Sequence, residues 1–289
     1  MNIDEKEYIR SLVKQLLPID DIMFRKMAES KAFCEELLRT VMDDPGLEVL
    51  EAKPQLDITN LLGRSVILDA YCELSDGRRV DIEVQQADND DHQRRVRYNT
   101  SLLTANMAGK GTRFYDVPDV CSVYITRFDI FKRGLPVYHV VRRIDETDEP
   151  VFNGMSEIYI NASAQGNSPI ERLMRVFTQS GVTDAGFPVA SAIKQRLTNS
   201  EEGEQTMCEI AEKLMDYGRE KWMAAGRLEG RSEGRTEGRT EGRAEGHAEG
   251  KRDSIVELVQ SGLLTAEQGA KQLKLSPEEF RRCMQTYAK

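Results

Sequence analysis

The stretch from Ser65 to Gln86, SVILDAYCELSDGRRVDIEVQQ, constrains this chain more than any other, because its side chains alternate between apolar and polar on both sides of one turn. Val66, Leu68, Ala70 and Cys72 alternate with Ile67, Asp69, Tyr71 and Glu73. After Ser75-Asp76-Gly77, Val80, Ile82 and Val84 alternate with Asp81, Glu83 and Gln85. A period of two marks a strand, so the pattern predicts a β-hairpin with one apolar face and one acidic face.

The length of the loop decides which acids meet, because side chains change face at every residue. A two-residue Asp76-Gly77 loop would set Ala70 across from Glu83 and turn Asp69 to the other face. A three-residue loop, a type I turn closed by a left-handed Gly77, pairs Leu74 with Arg78 and sets Asp69 across from Glu83, with Gln85 two residues along on the same face. We expect the three-residue loop. Residues opposed in this way have Cβ atoms about 4.5–5.5 Å apart, close enough for two carboxylates to share one hard divalent cation.

Asp69, thirteen intervening residues and then Glu83-x-Gln85 resembles the core of the PD-(D/E)XK nucleases, in the form where glutamine replaces the last lysine. The likeness extends to Asp21-Ile-Met-Phe24 near the start, Arg95-x-Arg97-Tyr98 after the hairpin and SVYITRFDIF beyond it. Together these resemble the Rpn family of recombination-promoting nucleases and transposase-like proteins, from about residue 15 to about residue 170. The resemblance implies an α/β fold with a restriction-endonuclease-like mixed sheet flanked by helices. It also implies an endodeoxyribonuclease that uses Mg²⁺ or another hard divalent cation and cuts DNA during recombination or transposition. Asp69 and Glu83 would be the metal ligands, with Gln85 and Asp21 beside them. By position Asp21 is either a helix-borne acid lent to the site or a first-turn acid favoured by the helix dipole. Arg95, with Arg94 and Arg97, would bind DNA phosphates, or the three form a solvated helix face. An amide cannot take a proton from water, so Gln85 can orient a group but not act as its base; that role would pass to the metal or to Asp81 or Asp21.

The 289 residues carry a formal charge of −9, which excludes a generally basic nucleic-acid coat and leaves DNA binding to a local patch. Five scattered cysteines without a CxxC suggest neither a disulfide framework nor a zinc cluster. No apolar run approaches a membrane span, and the charged MNIDEKEYIR does not read as a signal peptide, so a cytoplasmic protein with no membrane partner is expected.

Along the chain, the spacing predicts one helix over Tyr8–Leu17, ended by Pro18, and a second over Asp20–Met42. A short strand follows near 47–58, then the hairpin, then a helix from Arg94 to Met107. Strands are expected at Val120–Thr126, Val137–Arg142 and Glu157–Ile160, the first with both faces covered. Helices follow from Pro169 and over Glu201–Trp222. This divides the chain into a nuclease-like domain (1–170), a helical extension (171–225), a Gly-Arg-x-Glu repeat (226–252) and a small three-helix module (253–289).

The repeat sets like charges at i,i+4 and a glycine in every turn. It is therefore either a solvated linker or a helix formed on oligomerisation, where the glycine stripe lets chains approach. The module carries capping signals at Thr265-x-x-Gln268 and Ser276-Pro277-Glu278-Glu279 and reads either as a helix-turn-helix or as a docking element. The alternative to a nuclease is an inactive nuclease fold that self-associates through residues 226–289.

Overall fold

The computed structural model describes residues 3–60, 63–215 and 250–286. The chain divides into two compact units, Met1–Leu214 and Met215–Lys289. The first is built on a six-stranded mixed sheet of β1 (Val49–Ile58), β2 (Val66–Leu74), β3 (Arg79–Gln85), β4 (Val120–Thr126), β5 (Val137–Val140) and β6 (Met155–Asn161). Their order is β1-β2-β3-β4-β6-β5. β1, β2 and β3 are antiparallel neighbours, β3, β4 and β6 run parallel, and β5 closes the far edge antiparallel to β6.

The hairpin has the expected loop. The Leu74 amide donates to the Arg78 carbonyl at 3.0 Å, and Gly77 takes φ +92°, a conformation that costs glycine little and other residues more. β4 is buried at every position, as its apolar composition requires of a central strand. Pro54 is accommodated in β1 because that strand lies at the edge of the sheet.

Helices cover both faces, so the acidic side of the hairpin is not a solvent face. On one side Val80, Ile82, Val84, Val123 and Ile125 share a core with Phe24, Phe33, Leu37 and Phe177. These come from α2 (Asp21–Ala28), α3 (Lys31–Val41) and α5 (Pro169–Thr178), joined by α6 (Pro188–Asn199) through Ala190 and Leu197. On the other side α4 (His92–Met107), which carries the chain from β3 to its parallel neighbour β4, packs Val96 on Tyr124 and Tyr159, and Leu103 on Leu68 and Tyr71.

The structure corrects the helix reading in three places. α1 (Ile3–Val13) stops well short of Pro18. The segment 20–42 is two helices, because the Ser30 hydroxyl accepts the Phe33 amide and caps a new start. α6 went unread because only four of its residues are buried, and one of those is a lysine. Lys194 donates its ammonium to the carbonyls of Val176 (2.7 Å) and Val182 (3.0 Å) and so ties α6 to the end of α5. Residues 201–215 are helical, as expected.

In the second unit, residues 250–260 are helical, followed by helices Ala266–Gln272 and Pro277–Thr286. Ile255, Val256, Ala270 and Phe280 form their core. Both capping signals are realised as reciprocal bonds, between Thr265 and Gln268 and between Ser276 and Glu279. The Gly-Arg-x-Glu repeat, apart from its end, lies outside the described residues. Among the described residues no helix is long and apolar enough to cross a membrane.

Candidate active site

The β2–β3 ladder runs from Glu73↔Arg79 to Ala70↔Ile82 and stops there. In the next step side chains replace the backbone: the Asp69 amide donates to Glu83 Oε1 at 3.2 Å, and the Val84 amide donates to Asp69 Oδ2 at 3.1 Å. Each carboxylate thus caps the neighbouring strand where the two strands part. Asp69 and Glu83 come together as their register implies, though not as a simple ladder pair. Both are buried, at 5% and 8% exposure.

α2 closes one side. The Arg25 guanidinium bridges two acids, with Nε 2.6 Å from Asp21 Oδ1 and Nη2 2.9 Å from Asp69 Oδ1. Asp21 is therefore brought to the site, at its half-exposed rim. Sequence reasoning passed over Arg25. The available signal was the i,i+4 spacing of Asp21 and Arg25, which puts both on one face of a helix.

Below the pair, Asp81 is fully buried. Its Oδ2 accepts the Ser122 hydroxyl at 3.3 Å, and its carboxyl shares a hydrogen bond with that of Glu83 when one of the two holds a proton. Burial pushes the Asp81 carboxyl up to about 7, with the Asp69 charge adding to the rise. Burial, then the charges of Asp81 and Asp69, drives Glu83 well above the usual carboxylate range. Burial and the Asp69 charge likewise lift Asp21 to about 7 against the opposing pull of Arg25.

These shifts fix a sign. Carboxyls with a raised folded pKa keep protons that the unfolded chain releases, so their contribution to stability is present at about pH 4 and lost as the pH rises through about 7. In EDTA the unfolding free energy is expected to fall by roughly 2–4 kcal/mol between about pH 5 and pH 8, and Asp81→Asn to flatten that slope. Urea titrations across this range check it. A slope unchanged by Asp81→Asn would mean that Asp81 does not titrate with folding.

At the end of β3 the Gln85 amide is occupied on both sides: Nε2 donates to the Ala87 carbonyl at 2.9 Å, and Oε1 accepts Arg95 Nη1 at 3.2 Å. Arg95 also lies 3.5 Å from Asp91. α4 thus brings one of its three arginines to Gln85 at the end of β3, while Arg94 and Arg97 are exposed. Arg94 instead lines a hollow of about 280 Å³ with Asp88, Asp90 and Lys132. His92, one turn before Arg95, is buried between Tyr124 (3.1 Å) and Asp88 (3.0 Å), fixing the start of α4. A groove of about 710 Å³ lies elsewhere, among α3, β5 and the first turns of α5 and α6. It includes none of the acids, and its Glu36 already accepts the Val189 and Ala190 amides, so the chemistry points to the hairpin.

The donors at the hairpin are all oxygen, and Asp69, Asp81 and Glu83 crowd one another enough to hold protons there. This set fits a hard divalent ion. Among the described residues no three acidic, histidine or cysteine side chains form a ready-made cage.

Neither a curated protein nor a solved structure is significantly similar to the chain. A family model described as PD-(D/E)XK nuclease family transposase matches residues 18–167, which take in α2, the whole sheet and α4, and with them every acid and arginine of this site. The six-stranded mixed sheet flanked by helices is consistent with that fold, and the chain is a member of the PD-(D/E)XK nuclease family transposases.

Proposed function

We propose that the protein is a metal-dependent DNA endonuclease that cuts phosphodiester bonds in recombination or transposition, with Asp69 and Glu83 holding Mg²⁺ or a similar ion. The observation that carries this reading is the interlock of Asp69 and Glu83 where β2 and β3 part, above the buried Asp81. An ion bound there would polarise a phosphate oxygen and acidify a bound water. The chain's own groups have separable tasks. Gln85, fixed by Ala87 and Arg95, orients and cannot accept a proton. Asp21, half-exposed and held at about 7, is placed to take one, whereas Asp81 is sealed beneath Ser122. Arg95 offers positive charge to a phosphate beside the acids, and the exposed Arg94 and Arg97 extend it along α4. The five cysteines are free thiols, which suits a cytoplasmic protein.

The test is nicking of supercoiled plasmid by the full chain with Mg²⁺ and with EDTA, alongside single-stranded DNA and RNA. Cutting that needs the metal and prefers DNA supports the reading. Absence of cutting on every substrate with Mg²⁺ or Mn²⁺ would overturn it in favour of a nuclease fold that binds or assembles without cleaving.

A further inference from the structure

Arg25 stands on the carboxylate oxygen that a divalent ion would need. Asp69 Oδ1 accepts two of its N–H groups, from Nε at 3.2 Å and Nη2 at 2.9 Å, while Asp69 Oδ2 takes the Val84 amide. A carboxylate oxygen offers about two lone-pair directions, so Oδ1 is saturated by one guanidinium. Asp21, one helical turn earlier, holds that guanidinium in place at 2.6 Å, and the Arg25 side chain is only 22% exposed. The positive charge of arginine cannot be shed at any ordinary pH. A second cation approaching Asp69 therefore meets both a filled oxygen and a fixed like charge.

We propose that Arg25 is a tethered cation that competes with the divalent ion for Asp69, so that the ion binds only by displacing the guanidinium, and Arg25 sets the metal affinity of the site. The inference rests on the reading of Asp69 and Glu83 as metal ligands. It makes Arg25 a positioning residue: in the metal-free protein it offsets the charges of Asp21 and Asp69, and its release leaves a forked cation beside the place where a phosphate would enter.

The experiment is Mn²⁺ binding to the full chain, followed by electron paramagnetic resonance and by the shift in melting temperature, for wild type, Arg25→Met, Arg25→Gln and Asp69→Asn. Removing the competing charge is expected to tighten Mn²⁺ binding at least about tenfold, and to enlarge the melting shift, in both neutral variants. Asp69→Asn is expected to abolish site binding, leaving only ions scattered over the acidic surface. Arg25→Gln keeps donors for Asp69, so it guards against a folding defect in Arg25→Met. Equal or weaker Mn²⁺ binding in the neutral variants, with binding still lost in Asp69→Asn, would overturn the role of Arg25 and leave the metal site standing. Binding that is absent throughout, or that survives Asp69→Asn, would overturn the metal site and this inference with it.

Discussion

Glu83→Gln and Asp69→Asn are each expected to lower metal-dependent DNA nicking by about 10³-fold or more while leaving the protein folded. Both substitutions keep shape and delete charge, and each exchanges one acceptor oxygen for an NH2 donor, so asparagine at 69 that still accepts the Val84 amide no longer accepts Arg25. Glutamine at 83 still has a carbonyl oxygen for the Asp69 amide, and asparagine at 69 still has one for the Val84 amide, so the seam between β2 and β3 can close as before. The charge lost at 83 costs the fold little, because burial already drives Glu83 toward its neutral form. The expected signature is a steep fall in nicking in both variants, with a melting temperature in EDTA that is unchanged or raised in Glu83→Gln and lowered in Asp69→Asn, where Arg25 loses its partner. Cleavage within about tenfold of wild type in both variants would show that the site lies elsewhere in the chain.

Phe24→Ala is expected to destabilise the first unit by about 3–5 kcal/mol, measured by urea unfolding. Phe24 is fully buried, with its ring 6.0 Å from that of Phe33 and 6.3 Å from that of Phe177, and those two rings stack at 6.0 Å. Such contacts add roughly 0.5–1.5 kcal/mol per pair beyond the area buried. α2 has only eight residues, too few to persist by helix propensity, so this packing is what holds it. Asp21 and Arg25 ride on the same two turns, so the substitution reaches the site by loosening their support. Phe24→Leu refills most of the volume and is expected to cost about 1.5 kcal/mol or less. If alanine cost no more than leucine, the ring cluster would not be what anchors α2.

Much of this was written locally. Alternation over 66–85, a glycine at the one loop position that needs positive φ, and an apolar run at 120–126 specify two paired strands and a central one. Each of those signals depends on a few adjacent residues. Ser276 and Thr265 announce their helices for the same reason: a cap and its partner are three residues apart. The acids Asp69, Glu83 and Asp81 were legible because strand parity puts them on related positions.

Other features depended on groups distant in sequence. Asp81 stands in the sequence as one acid of an alternating strand, and only the tertiary packing that brings Ser122 against it makes it buried and lifts it to about 7. Arg25 reads as one more helix charge until α2 docks on β2, forty-four residues along the chain, and delivers it to Asp69. Of three similar arginines in 94–97, only the orientation of α4 selects Arg95 for Gln85. Sequence alone determined the strands and the residue types because these follow from periodicity and turn chemistry. Burial, charge pairing and the choice of cation belong to the tertiary structure, because they are properties of what surrounds a group and not of its neighbours in the chain.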